Sequence, residues 1–278
     1  MLVNLQEVLK IAEQEKYAIG SFNTPNFENI IAVLSNAEKY NVPVIIAHAE
    51  AHEPLMDLET IGPVMIDCAK RAKVPVCVHL DHGENLEYIE RALELGFTSV
   101  MYDGSRLSYE ENVENTLKVV KMARKYNAGV EAEIGVMGTD ESGSDEGIEV
   151  VYTEPDIAER FVKDTGIDAL AASFGTLHGL YKSKPKLDFD RIRKIKELAN
   201  IPLVMHGGSG VSPEDYITAI DCGIRKINYY TYMAREGGRA AWEVVNVVAN
   251  PLYHDIAYAA VEAMTKDVEE AIKIFYHQ

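Results

Sequence analysis

Three histidines close three separate apolar runs: His82 ends VPVCVHLDH, His178 follows ALAASFGTL, and His206 follows PLVM. One histidine at a strand end is ordinarily a satisfied polar residue, so the argument rests on the set. Parallel strands of a barrel all end on the same face. Three imidazoles arriving there, with a fourth position open, make the donor set of a catalytic zinc. Such an ion polarises a carbonyl and stabilises a developing enolate. Asp81 precedes His82 and is placed to shuttle a proton beside a metal without ligating it. Its alternative role is the N-cap of a helix beginning near Glu84.

Other candidates surround this set. Asp103 and Glu133 fall at the ends of two further strands, where they could orient the histidines, hold a second cation, or merely cap loops. His206-Gly207-Gly208-Ser209-Gly210 follows a strand, and glycines there let backbone N–H groups converge on an anion. Together with Asn228–Thr231 at the end of the last strand, this stretch reads as a phosphate pocket, although GGSG alone is also an ordinary turn.

The elements that must position these residues alternate regularly. Near-continuously apolar runs at Ala18–Phe22, Pro43–His48, Pro75–Leu80, Ser99–Tyr102, Gly129–Ile134, Ala169–Phe174, Pro202–Met205 and Lys226–Tyr230 predict eight strands buried on both faces. Amphipathic stretches such as Phe27–Tyr40, Leu86–Leu95, Glu110–Tyr126, Asp188–Ala199 and Pro213–Cys222 predict helices between them. Ser108 and Glu111 form a capping-box pattern, Ser212-Pro213-Glu214 reads as a helix start, and Gly96 and Gly223 stand where helices end. This alternation predicts an α/β protein, a (β/α)8 TIM barrel with extra C-terminal helices from Trp242 to Gln278. A doubly wound open sheet is the alternative, but the first strand lacks the GxGxxG turn of a dinucleotide fold. No linker divides residues 1–278, which read as one barrel domain. The Gly/Ser/Asp/Glu-rich segment Gly135–Val150 follows the fifth strand at the catalytic end, as a surface loop or a mobile lid.

Composition narrows the partners. With 47% hydrophobic residues among 278 the chain can bury a sizeable core, and its formal charge of −17 argues against nucleic acid or an anionic membrane. A small phosphorylated molecule needs only a few local donors and stays open. Cys68, Cys77 and Cys222 are few and odd in number, as expected of buried free thiols in a reducing compartment. Met1 leads into a polar amphipathic stretch without a signal core, and no apolar run approaches the roughly 20 residues of a membrane span. A cytoplasmic location is the expectation.

The motifs HLDHGENLEYIERALELGFTSVMYDGS, VEAEIG, FGTLHGLYKSKPKLDF and MHGGSGVS resemble those of the class II, zinc-dependent ketose-bisphosphate aldolases. That family holds fructose- and tagatose-bisphosphate aldolases, and the likeness runs from GSFNTPNFENIIAVLSNAEKYNVPVII through KINYYT. The resemblance implies a lyase of carbohydrate metabolism, of the glycolytic type, that cleaves a ketose phosphate to dihydroxyacetone phosphate and an aldehyde. It implies that His82, His178 and His206 ligate Zn²⁺. Asp81 handles the C4 hydroxyl proton, and Glu141 moves the enediolate proton. Asp103 and Glu133 match acids at an alternative or second metal position. Asn23, Gly179, Gly207, Ser209, Asn228 and Thr231 match positions that contact substrate, all but Asn23 at the dihydroxyacetone phosphate moiety. Family members are commonly homodimers or homotetramers, and some use a monovalent cation near the phosphate.

The sequence departs from the family pattern in places. IIAHAEAHEP stands where glutamine and serine are usual, so His48, Glu50 and His52 are unusual; strand alternation puts them on one face, as an auxiliary metal site or as altered substrate contacts. Tyr229, Tyr230 and Tyr232 replace small or acidic residues. Arg106 stands where a histidine often follows, and neither Arg235 nor Arg239 matches the arginine that usually meets a distal phosphate. Fructose 1,6-bisphosphate is the default substrate, with tagatose bisphosphate or a ketose 1-phosphate lacking the distal phosphate as alternatives. A zinc hydrolase on the same barrel, or a sugar-phosphate-binding protein without turnover, remains open from the residues alone.

Overall fold

The computed structural model describes residues 1–136, 151–179, 181 and 184–278. Among these are nine strands: β1 (Leu2–Val3), β2 (Ile19–Asn23), β3 (Val44–Ala49), β4 (Val76–Gly83), β5 (Ser99–Tyr102), β6 (Gly129–Ile134), β7 (Ala169–Ala172), β8 (Leu203–Met205) and β9 (Ile224–Tyr229). Strands β2 to β9 pair in parallel in chain order, and β9 pairs back onto β2, so the sheet closes into the eight-stranded barrel expected. β1 is an addition that the sequence pattern did not reveal: two residues laid against the start of β4, pairing Leu2 with Val76.

The helices are α1 (Leu5–Glu15), α2 (Phe27–Tyr40), α3 (Leu58–Arg71), α4 (Leu86–Leu95), α5 (Tyr109–Arg124), α6 (Pro155–Thr165), α7 (Phe189–Ala199), α8 (Pro213–Cys222), α9 (Thr231–Val247) and α10 (Tyr253–Phe275). Their ends follow the expected chemistry. Ser108 and Glu111 complete a capping box on α5, Ser212 accepts from the Asp215 N–H, and Gly96 and Gly223 end α4 and α8. α9 begins directly after β9, earlier than the tail pattern suggested, and α10 packs back onto α9 and α2.

Strand alternation divides the barrel's contents. Outward residues such as Phe22, Val78 and Leu80 are fully buried beneath helices. Inward positions two apart carry polar side chains instead: Asn23, His79 and Asp81, Glu131 and Glu133, Lys226 and Asn228 are all buried. A polar interior must be hydrogen-bonded throughout to be tolerated, and these residues bond mainly to one another.

Three sequence expectations need correction. β7 ends at Ala172, so His178 sits in the following loop rather than at a strand end. β3 ends at Ala49 and Glu50–His52 turns into a short 3-10 helix. Alternation therefore stops before Glu50, and the three unusual residues of that stretch do not share a strand face. Finally, Asp81 is not a helix cap, because Asn85 accepts the first N–H groups of α4. Glu141 and nearly all of the expected lid lie outside the described residues, whose flanks meet where Val136 and Val151 exchange backbone hydrogen bonds of 2.8 and 2.9 Å.

Candidate metal centre and substrate cleft

The centre is built where β4 breaks its register. Pairing with β5 shifts between Leu80 and Gly83, and His82 takes φ +45°, a left-handed conformation uncommon outside glycine. In a regular strand, adjacent residues face opposite sides. Here Asp81 lines the cleft while His82 turns over the barrel mouth to meet His178 and His206. One nitrogen from each of the three histidines lies within 4.8 Å of the others.

Carboxylates decide how these rings are protonated. His82 Nδ1 is 2.8 Å from Asp103 Oδ2, and His206 Nε2 is 2.8 Å from Glu131 Oε1. As neutral imidazoles, both rings donate their single N–H to these acids, which leaves lone pairs on His82 Nε2 and His206 Nδ1. Those two nitrogens face each other at 2.8 Å. The Asn228 amide points a hydrogen at the same His206 Nδ1 from 3.3 Å, consistent with an unprotonated nitrogen there. Two lone pairs at this separation repel unless a proton or a metal cation is shared between them. Burial keeps His206 below the ordinary imidazole range, and any positive charge at His82 would lower it further. The donor set therefore fits a divalent ion, and three imidazoles suit zinc.

A second group, His82, Asp103 and Glu133, meets the same distance criterion. Burial, then the Asp103 charge, pushes Glu133 well above the usual carboxylate range, and its Oε2 has no partner among the described residues. An orphaned buried carboxylate oxygen is where a second cation would fit.

Asp81 is buried, yet its carboxylate is held ionised. Burial alone would raise it, but positive charge at the His82 and His206 positions, carried by those rings when protonated, and the Lys226 ammonium outweigh that and hold it well below the usual range. Each oxygen accepts one amide N–H, Oδ2 from Asn23 at 3.0 Å and Oδ1 from Asn228 at 2.9 Å. Lys226 donates to Asn228 Oδ1 at 2.8 Å and thereby fixes which end of that amide faces Asp81. Lys226 also pairs with Glu131 at 2.9 Å, and it and His206 hold Glu131 at about 2 against the opposing effect of burial. His79 completes the layer through Ser99 at 2.6 Å. Glu131, Lys226 and His79 were not singled out in the sequence. The missed signal was their position two residues before Glu133, Asn228 and Asp81, hence on the same inward face.

The anion side is also built. Gly207 has φ +62°, and a Cβ there would run into the Leu177 carbonyl. Tyr181 donates to the Gly207 carbonyl at 2.8 Å and accepts from the Leu177 N–H at 2.9 Å, tying the loops after β7 and β8 together. Ser209 Oγ accepts from the Tyr230 N–H at 3.1 Å, next to Thr231, the first residue of α9. Gly179, Gly207, Ser209, Asn23, Asn228 and Thr231 all line one cleft with Asp81 and His178, so every expected substrate position converges. Helix N-termini and glycine amides are suited to phosphate. The tyrosines divide in role: Tyr229 packs against Phe22 and Phe275, Tyr232 lies under the Arg235 guanidinium at 4.2 Å, and Tyr230 lines the cleft. Arg239 pairs with Glu236 on α9 itself.

A parallel barrel with a three-histidine centre, a buried acid beside it and a glycine-rich cleft wall fits a metal-dependent barrel enzyme. The chain belongs to the class II fructose-bisphosphate aldolase family, whose model matches residues 3–278. It is 42% identical over 227 residues to a fructose-bisphosphate aldolase of Helicobacter pylori, covering 80% of this chain and 74% of that one. A fructose-bisphosphate aldolase of Geobacillus stearothermophilus is 42% identical over 235 residues, 83% of this chain and 81% of its own. The crystal structure of the YdjI aldolase from Escherichia coli K12 superposes with a TM-score of 0.89 at 33% identity, covering 99% of this chain and 97% of that one. No helix among the described residues is long and apolar enough to cross a membrane.

Proposed function

We propose that this protein reversibly cleaves a ketose 1,6-bisphosphate, fructose 1,6-bisphosphate by default, or a ketose 1-phosphate, between C3 and C4. The products would be dihydroxyacetone phosphate and an aldehyde. Family membership supports the reaction class. The observation that carries the residue roles is the pair of facing lone pairs on His82 and His206, with ionised Asp81 alongside.

His82, His178 and His206 would hold the ion, zinc by its donor chemistry, and when bound it supplies the electron sink for the substrate's C2 carbonyl. Asp81, gripped by two amides, would take the C4 hydroxyl proton as the carbon–carbon bond breaks and return it in condensation. Asn228 and Lys226 hold that carboxylate in place and exclude rotation. The amides of Gly179 and Gly207, the Ser209 region and the N-terminus of α9 at Thr231 would take the phosphate, with Asn23 facing the substrate. Asp103 and Glu133 would orient His82 and receive a second cation. Glu141, outside the described residues, is assigned the enediolate proton from the resemblance. Tagatose bisphosphate is the alternative substrate, and a cytoplasmic homodimer or homotetramer acting in glycolysis is the proposed setting. The test is a panel of ketose phosphates offered to zinc-loaded protein, with dihydroxyacetone phosphate assayed by coupled reduction. Release from at least one is expected, and none from any would sink the reading.

A further inference from the structure

Two tyrosine hydroxyls grip successive carbonyls of the loop after β8. Tyr181 donates to the carbonyl of Gly207, and Tyr216 on α8 donates to that of Gly208. The Gly208 N–H is spent on the Asn228 carbonyl at 3.2 Å, so the Gly207–Gly208 peptide is held at both ends. The next peptide is held at one end only. Its carbonyl, that of Gly208, accepts from Tyr216 and from the Val211 N–H at 3.1 Å, but its own N–H, that of Ser209, meets no acceptor among the described residues.

The direction of that unmatched N–H follows from where Tyr216 lies. Tyr216 is 3% exposed, and its ring meets the buried Phe275 at a centroid distance of 4.9 Å, so the Gly208 carbonyl faces the core. A trans peptide points its C=O and N–H in opposite directions. The Ser209 N–H is therefore aimed away from the core, on the side where Gly207, Gly208 and Ser209 line the cleft. A peptide that begins at glycine turns over readily, and Gly208 cannot be exchanged for a stiffer residue, because a Cβ there would run into the Asn228 carbonyl. The Val211 N–H occupies one lone pair of the Gly208 carbonyl, and the Tyr216 hydroxyl takes the other. Burial pushes that hydroxyl above the usual phenol range, so it keeps the hydrogen it donates.

On the reading of function given above, we propose that Tyr216 is a positioning residue for the substrate's phosphate. It acts from beneath the loop. By keeping the Gly208 carbonyl on the core side it presents the Ser209 N–H to the anion, next to the Ser209 hydroxyl and the start of α9. Ser209 Oγ already accepts from the Tyr230 N–H, which leaves its own hydrogen for the same anion. The direction is set before the ligand arrives, so binding does not have to freeze a turning peptide.

The test is Tyr216→Phe, which removes the hydroxyl but keeps a ring against Phe275, while the Val211 N–H still satisfies the Gly208 carbonyl. Solvent deuterium uptake into dihydroxyacetone phosphate is followed with zinc-loaded protein and no aldehyde. A group that orients the phosphate site acts alike on bound substrate and transition state. KM is therefore expected to rise about fivefold, the worth of roughly one neutral hydrogen bond, with kcat and zinc content unchanged. An unchanged KM, or a loss confined to kcat, overturns the proposal. If Tyr216→Phe does not fold, Tyr216→Met decides by the same split. Absence of uptake in the wild type sinks the aldolase reading instead. Calorimetry with inorganic phosphate on the same zinc-loaded proteins then decides the role of Tyr216, weaker binding by the variant supporting it and an equal Kd overturning it.

Discussion

Arg225 and Lys226 are neighbours on β9 and point to opposite faces of the barrel wall. Each meets a glutamate. Outside, Arg225 Nε donates to Glu13 at 3.0 Å, and Lys196 reaches the same carboxylate, which is 29% exposed. Inside, Lys226 pairs with Glu131 and neither side chain has any exposure. The ingredients match, but water reaches only the outer pair. There the acid's charge is screened and its loss is cheap. The inner pair has no solvent to fall back on, so each charge depends on the other, and both extend into the site through His206 and Asn228. One strand thus carries a fastening on one face and a functional support on the other.

The strongest way to sharpen this contrast is at the acid the inner network serves. Asp81→Asn is expected to lower cleavage about 10²- to 10⁴-fold while the protein retains metal, checked by rate and metal content together. Loss of metal would instead make Asp81 structural. Lys226→Met leaves Glu131 buried without its counter-charge and should destabilise the fold by about 3–5 kcal/mol in urea unfolding. Glu131→Gln weakens the acceptor that orients His206 and should reduce metal affinity about 10–100-fold by competition titration. It also bears on acid stability. Glu131 titrates at about 2 in the fold against an ordinary value of 4.5. A lowered acid stabilises fully above its ordinary value and loses that contribution as pH falls. Wild type should therefore lose stability between about pH 4.5 and 2 more steeply than Glu131→Gln. The smallest effect belongs outside: Glu13→Gln should cost under about 1 kcal/mol with kcat unchanged, and a larger loss would erase the distinction between the faces.

Much of this molecule could be read in its residues. The barrel strands announced themselves because strands buried on both faces are apolar throughout, and the helix ends because Ser108, Ser212, Gly96 and Gly223 have local conformational reasons to be there. The histidines stood out as a set at the ends of apolar runs, and Asp81 by its place beside His82. What escaped was set by long-range geometry. β1 is too short to have a pattern. His178 was assigned to a strand end because ALAASF is apolar past the point where β7 stops pairing. Lys226 and Glu131 sit in otherwise buried strands, and a charge there could only be explained once its partner across the barrel was known. His48, Glu50 and His52 were given strand alternation that the turn after Ala49 abolishes.

The left-handed kink at His82 has a mechanical consequence. It lets one strand turn two consecutive residues, Asp81 and His82, toward the same cleft, which regular pleating forbids. Their Cα atoms are then separated by a single trans peptide, about 3.8 Å, a distance no loop movement can change. His178 and the phosphate loops are tied to this pair only through non-covalent contacts, from other elements of the barrel. The backbone spacing between the acid and the histidine beside it is the stiffest coordinate in the cleft, written into the covalent chain rather than into its packing.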